Sequence, residues 1–397
     1  MTINNIRPHN TNAFLFFLML VFIAPDFIYY RLGLGNFSLS TLVALTVLFV
    51  CLRLKWITRD CRLAIALVFF ILILNIISSF FVNGIADLFN IKVYFSVVSL
   101  LLMVYFASCF ANNISYLSDS TIKKASFRMF YILCAIGMVG AVLIIGGVVQ
   151  DKSMVFFSEP SAFALIFLPF FSFALFYARG TTTIIIFIVS FSIALAVQNL
   201  TLLVGLVFCV IALKKVRILP FAVAFCLMLF VWTFYQFTYD YTYFSSRLSF
   251  ANSTNFSVLV YLSGLERAFL NFTESLGLGT GFQQMGYNGV VGESQKVLES
   301  LGAGHLNLYD GSFIASKFIS EFGLIGLIFC ILFTLKFIKS FISFNSKKSY
   351  SAQHVLAYCF LLSFIIPLFI RGAGYLNPYV FMMLSSMFMY RNLSKKV

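Results

Sequence analysis

Three arginines, a handful of carboxylates and one polar segment carry the chemistry of a chain that is otherwise apolar. Arg247, Arg267 and Arg371 stand out because a planar, permanently charged guanidinium suits phosphate oxygens better than a mobile ammonium does. Each could equally snorkel to an interface or close a structural ion pair. Arg371 precedes Gly372-Ala373-Gly374 at an apolar helix end, a poor place for a charge unless a cavity receives it. Glu159 sits in Ser158-Glu159-Pro160-Ser161, where Pro suits a first helical turn and the acid suits the positive helix end. It reads either as a cap or as a carboxylate at a cavity rim. In His305-Leu306-Asn307-Leu308-Tyr309-Asp310, the imidazole or the carboxylate could serve as a base, or the run could be an interfacial cap. Tyr287, Asn288 and Tyr309 bring aromatic faces and amides, groups that suit a carbohydrate.

Other residues point away from specific sites. Lys317 and Glu321, four apart, can pair along a helix, and with Gly323 and Gly326 Glu321 reads either as a packing device facing the bundle, the reading preferred, or as part of a polar site. Gly277-Leu278-Gly279-Thr280-Gly281 lacks the Gly-Lys-Ser/Thr of a phosphate loop and does not match GxGxxG, so close backbone packing is its expected use. The eight cysteines lie almost wholly in apolar stretches without CxxC spacing, and His9, His305 and His354 are isolated. No metal site and no cofactor is expected.

These residues are positioned by membrane spans. The composition is 61% hydrophobic with 10% charged residues and 52 Phe, too few charges to cover a water-soluble surface. Apolar runs long enough to cross a hydrocarbon layer of about 30 Å, or nearly so, occur at Ala13–Tyr30, Leu39–Leu52, Leu63–Val82, Val93–Ala111, Phe127–Val149 and Pro160–Ala178. Others follow at Thr182–Val197, Thr201–Leu213, Ile218–Phe237, Phe313–Leu335, Val355–Ile370 and Leu376–Tyr390. The sixth and seventh of these segments are separated by Arg179, and the eighth begins after a break at Gln198-Asn199. The first span has no cleavage site after it and is read as retained. With both termini cytoplasmic, about 19 of the 27 basic residues fall on one side, as the positive-inside rule demands. The net charge of +14 is therefore topological, and no nucleic-acid partner is expected. The fold class is all-α and polytopic: residues 1–237 form nine spans, 238–312 a large periplasmic loop with short helices, and 313–397 three more spans and a cytoplasmic C-terminus. Within the loop, Leu259–Phe272 is read as a helix whose apolar side (Leu259, Leu262, Leu265, Phe269, Phe272) packs on the membrane domain.

About a dozen spans, a large outer loop before the last three, Phe157-Ser158-Glu159-Pro160-Ser161, and Glu321-Phe322-Gly323-Leu324-Ile325-Gly326 together resemble bacterial O-antigen polymerases of the Wzy type. The related O-antigen ligases share the last element but place a His-Asn pair about a dozen residues before it. Here Asp310-Gly311-Ser312 occupies that zone and His305 lies farther upstream, which favours a polymerase. The resemblance implies a metal-independent, membrane-embedded glycosyltransferase of GT-C-like architecture in the bacterial inner membrane, working at the periplasmic face. Its substrates would be undecaprenyl-diphosphate-linked glycans and its leaving group undecaprenyl diphosphate, with a chain-length regulator as a further membrane partner. Arg247, Arg267 and Arg371 would clamp diphosphate. Asp310, His305 or Glu159 would orient or deprotonate the acceptor hydroxyl, and Tyr287, Asn288 and Tyr309 would line the sugar groove. The alternatives are a lipid-linked oligosaccharide flippase and an O-antigen ligase.

Overall fold

Proline, glycine and short polar residues set where the helices of this chain begin and end. In a computed structural model, residues 11–52, 58–84, 91–148, 153–213, 246–250, 253–346 and 350–394 are described. Among them the regular elements are all helical, with two isolated β-bridges. The first apolar run is two helices, α1 (Thr11–Phe22) and α2 (Ala24–Tyr30), bent by 43° where Pro25 removes a backbone donor. Next come α3 (Phe37–Leu52), α4 (Arg59–Asn83), α5 (Ile91–Ile114) and α6 (Asp119–Ile145). Thr58 and Ser118 cap α4 and α6 by accepting from Cys61 N and Thr121 N. Then follow α7 (Pro160–Tyr177), α8 (Thr181–Ala196) and α9 (Leu200–Leu213). The break expected at Gln198-Asn199 is present: Gln198 takes φ 51° and Asn199 caps α9 by accepting from Leu202 N at 3.1 Å. The run Ile218–Phe237 lies outside the described residues.

The later part holds α10 (Phe256–Glu274), α11 (Glu293–Ser300), α12 (Ile314–Phe322), α13 (Leu324–Ser346), α14 (Ala352–Ser363), α15 (Ile365–Phe369) and α16 (Pro378–Ser394). Six of the described helices are long and apolar enough to cross a membrane, seven if α1 and α2 are one bent span. The chain is a multi-pass membrane protein.

α7 and α14 form the buried centre, whereas α4 and α13 present most of their apolar side chains outward, as peripheral spans facing lipid do. Phe22, Phe170 and Phe360 meet edge to face at 5.6–6.2 Å and join α1, α7 and α14. Polar contacts fix which helix ends lie together. At one end Asp60 pairs with Arg391 at 2.7 Å, Asp119 accepts from Ala352 N at 3.0 Å, and Arg128 donates to Asn12 at 2.6 Å. The starts of α1, α4, α6 and α14 and the end of α16 thus share one end, the alternation the charge pattern requires. The loop helices occupy the opposite end.

The helix expected over 259–272 is present as α10, but its orientation is the reverse of the expectation. Ser263, Gly264, Arg267, Ala268 and Asn271 are buried on the side that meets α11, the loop before α12 and α12, while Leu265 and Phe269 face outward and Leu262 and Phe272 lie between. Of the expected apolar stripe only Leu259 is buried.

Candidate functional site

Where the loop meets the bundle, a cavity of about 400 Å³ opens. Its walls include Asp26 and Tyr29 of α2, Ser158 and Glu159 before α7, Asp310, Arg371 and Tyr379.

Each of these side chains is held by a local device. Glu159 takes the N-cap position of α7, yet its carboxylate makes no capping bond. It accepts instead from Arg371 Nη2 at 3.2 Å and from the Ser161 hydroxyl. Of the two readings of Glu159, the cap and the cavity carboxylate, the geometry has the second. Burial pushes this carboxyl up, but the Arg371 guanidinium, Ser161 and the more remote Arg247 outweigh it and hold Glu159 below its ordinary value. It is therefore a fixed anion. The segment before it is pinned by Asp26, whose Oδ1 accepts from Ser158 N at 3.1 Å and Ser158 Oγ at 2.8 Å.

Arg371 and Asp310 come from segments joined by one backbone bond: Gly372 N donates to Ser312 O at 2.8 Å. The turn after Arg371 is stiffened by Tyr379, which bonds the Ala373 backbone, and by Asn377, which accepts from Val380 N at 2.9 Å to cap α16. Gly374 lies at φ 56°, where a Cβ would stand 3.0 Å from Asp310 Oδ1, so the glycine leaves room for that carboxylate. On the other strand of the contact, Asp310 N and Gly311 N both donate to Asn307 O. The Ser312 hydroxyl donates to Val260 O of α10.

The three arginines do not converge on one point. Arg371 lines the cavity, and Arg247, which is not among the lining residues, acts electrostatically on Glu159. Arg267 is outside the cavity wall, only 4% exposed, and donates to Leu308 O at 2.6 Å. Burial pushes its guanidinium down to about 10 against the pull of Glu321, so it stays charged and braces the backbone two residues before Asp310.

His305 is exposed and absent from the cavity wall, although Leu306 and Asn307 belong to it. Tyr287 and Tyr309 form a separate exposed pair, ring centroids 4.8 Å apart, with the Lys92 ammonium over both rings and 3.2 Å from Tyr287 Oη. Asn288 bonds Gln284 at 3.2 Å. The aromatic pair thus flanks the peptide that carries Asp310 on a side the cavity does not reach.

Beneath this surface, Glu321 and Lys317 pair at 3.0 Å with both side chains buried. Glu321 also accepts from Gln283 N, Met285 N and Tyr375 Oη, and Lys317 donates to Tyr309 O. The packing reading of this pair describes what it does: it ties the loop, α12 and the turn before α16 together. The glycine-rich run is used as expected, since Thr280 N and Gly281 N donate to Ser320 O and Glu321 O at 2.9 and 3.0 Å.

Two residues escaped the sequence reading. Asp26 was visible as an acid beside a proline at the end of an apolar run, a pattern that marks functional positions in membranes. Arg31, a further cation at the loop end of the bundle, donates through Nε to Val155 O at 2.9 Å and braces the segment leading to Glu159. No family model, curated protein or solved structure matches the chain.

Proposed function

We propose that this chain is a glycosyltransferase of the O-antigen polymerase kind, joining undecaprenyl-diphosphate-linked oligosaccharide repeat units at the periplasmic face of the bacterial inner membrane. In this reading the chain has about twelve spans in a GT-C-like arrangement, with both termini cytoplasmic. The observation that carries it is that the Glu159–Arg371 pair and Asp310 line one cavity at the loop end.

The reaction follows from those groups. The acceptor hydroxyl of a new repeat unit attacks the anomeric carbon of the growing glycan, and the bond from that carbon to the diphosphate oxygen breaks. Asp310 receives the hydroxyl proton, and undecaprenyl diphosphate leaves with the electron pair. Arg371, held in place by Glu159, stabilises the negative charge gathering on the leaving group without having to reorient. Asp26, itself buried, keeps the Glu159 segment in register, and Asp310 offers an acceptor to a sugar hydroxyl. Three carboxylates around one lining arginine suit a hydroxyl-rich acceptor better than a bare diphosphate. The diphosphate therefore sits at the Arg371 edge, towards Arg247. A chain-length regulator in the same membrane is the expected protein partner.

The test is complementation of a polymerase-null strain at matched expression, together with polymerisation of a defined lipid-linked repeat by purified protein in EDTA. Arg371→Ala and Asp310→Asn should each lower turnover by about 10²-fold or more, the scale of a lost charge-stabilising donor or general base. Arg371→Lys should recover only part. Wild-type chain lengths from Arg371→Ala would overturn the assignment. A null strain that displays no repeat unit at all, instead of a single one, would point to transport.

A further inference from the structure

α10 is amphipathic in the reverse sense for a helix bathed in water. Its buried face carries Ser263, Gly264, Arg267 and Asn271, each tied to the protein. Ser263 donates to Gln295 at 2.9 Å, Asn271 to Ser320 at 2.6 Å and Arg267 to Leu308 O. A Cβ on Gly264 would meet Gly311 O at 2.7 Å, so the helix backbone lies directly against the loop that holds Asp310. Val258, Leu259, Val260 and Ala268 are buried with them, but the other large apolar residues fall on the opposite side. Leu262, Leu265, Phe269, Phe272 and Leu276 recur at three- and four-residue steps, one stripe on a 3.6-residue helix that runs past its C-terminus. Phe269 is 67% exposed and Leu276 is 91% exposed. A stripe of this size left in water invites association.

The stripe runs without interruption into surface that faces lipid. Leu324 N donates to Gly277 O at 2.7 Å, which sets Leu276 and Leu278 beside the first turn of α13. From there Leu324, Ile328, Ile331, Leu332 and Leu335 continue as the exposed side of a span. On the other flank Ser79 and Asn83 at the end of α4 donate to Thr280 O, next to the exposed Ile77 and Phe81.

We infer that α10 and the turn after it are seated in the bilayer, with the stripe from Leu262 to Leu278 facing the acyl chains of the leaflet on the loop side. The segment is an interfacial helix, its apolar face some 5–10 Å into the headgroup boundary, as surface-lying amphipathic helices are. Lipid supplies the cover on one side and the protein on the other. The inference needs only the membrane-spanning character of the chain and is independent of the reaction proposed above.

Spin labels at Leu265→Cys, Phe269→Cys and Leu276→Cys, in the full chain reconstituted into phospholipid nanodiscs, test it directly. Cys61, Cys109, Cys134, Cys209, Cys330 and Cys359 are buried, and the unsubstituted protein supplies the background. Oxygen concentrates in lipid and a nickel chelate in water. The oxygen-to-nickel accessibility ratio at the three sites should match that of Leu332→Cys and exceed that of Glu299→Cys by about tenfold, because the apolar layer excludes the chelate. High nickel accessibility would place the helix in water and overturn the inference. Low accessibility to both reagents would mean that protein covers the stripe, for example a second copy, and would overturn it equally. On the unsubstituted chain, a phospholipid with a diazirine in its acyl tail should label peptides from 262–278. Labelling confined to α4 and α13 would count against it.

Discussion

Four donors converge on the Glu321 carboxylate in the interior: the Lys317 ammonium, two backbone amides and the Tyr375 hydroxyl. Removing one partner of a buried pair leaves the other charge uncompensated, which costs more than the pair contributes. Lys317→Met should therefore destabilise the protein by about 3–5 kcal/mol, towards the lower end because Arg267 also acts on Glu321. Adding Glu321→Gln should restore part of that loss, since it removes the stranded charge and keeps the side-chain shape. Thermal unfolding of the single and double variants in one detergent measures the coupling. Strict additivity of the two losses would show that the side chains act independently. Glu159 and Arg371 make the opposite case: their pair is partly exposed within the cavity, so it adds little to stability and is better placed for chemistry.

The break between α12 and α13 turns on two glycines. Gly279 and Gly323 both lie at positive φ, and a Cβ on either would collide with backbone of the other's segment. Gly33 also has positive φ, at 68°, but a Cβ there would meet nothing. Gly33→Ala should cost about 1 kcal/mol from its dihedral alone, whereas Gly279→Ala should add a backbone collision and lose several times as much. Melting temperatures of the two variants in parallel decide this; equal shifts would mean that the close approach is not needed. Such elements were partly legible in the sequence. The Gln198-Asn199 break and the packing role of Gly277–Gly281 follow from local residue types, and the structure has them. The single span expected over Phe313–Leu335 is instead α12 and α13, broken at Gly323 and running on to Ser346, because the backbone of the Gly277–Gly281 turn packs into that break. The facing of α10 did not follow, because the rule that apolar stripes face inward inverts when the surroundings are lipid. The link from Asp26 to Ser158 was also invisible: 132 residues separate them, and no local pattern pairs an acid on one span with the N-terminus of another.

At the scale of the whole molecule, contacts at one end of the bundle join the starts of α1, α4, α6 and α14 to the end of α16. An impermeant thiol reagent should therefore reach Lys124→Cys and a cysteine appended after Val397 from the same side, and Glu299→Cys from the other. Reaction of Lys124→Cys and Glu299→Cys from one side would break the topology. Glu321 also constrains how this chain is made. Lys317 emerges from the ribosome four residues ahead of Glu321, so the pair can form within a single nascent helix and enter the translocon with no net charge. Gln283, Met285 and Asn75, which bonds the Glu321 carbonyl, have already been synthesised by then. Tyr375 has not: its hydroxyl arrives 54 residues later. The contact that ties the turn before α16 to α12 is thus also among the last that biosynthesis can complete, and until then the cavity lacks the wall that carries Arg371.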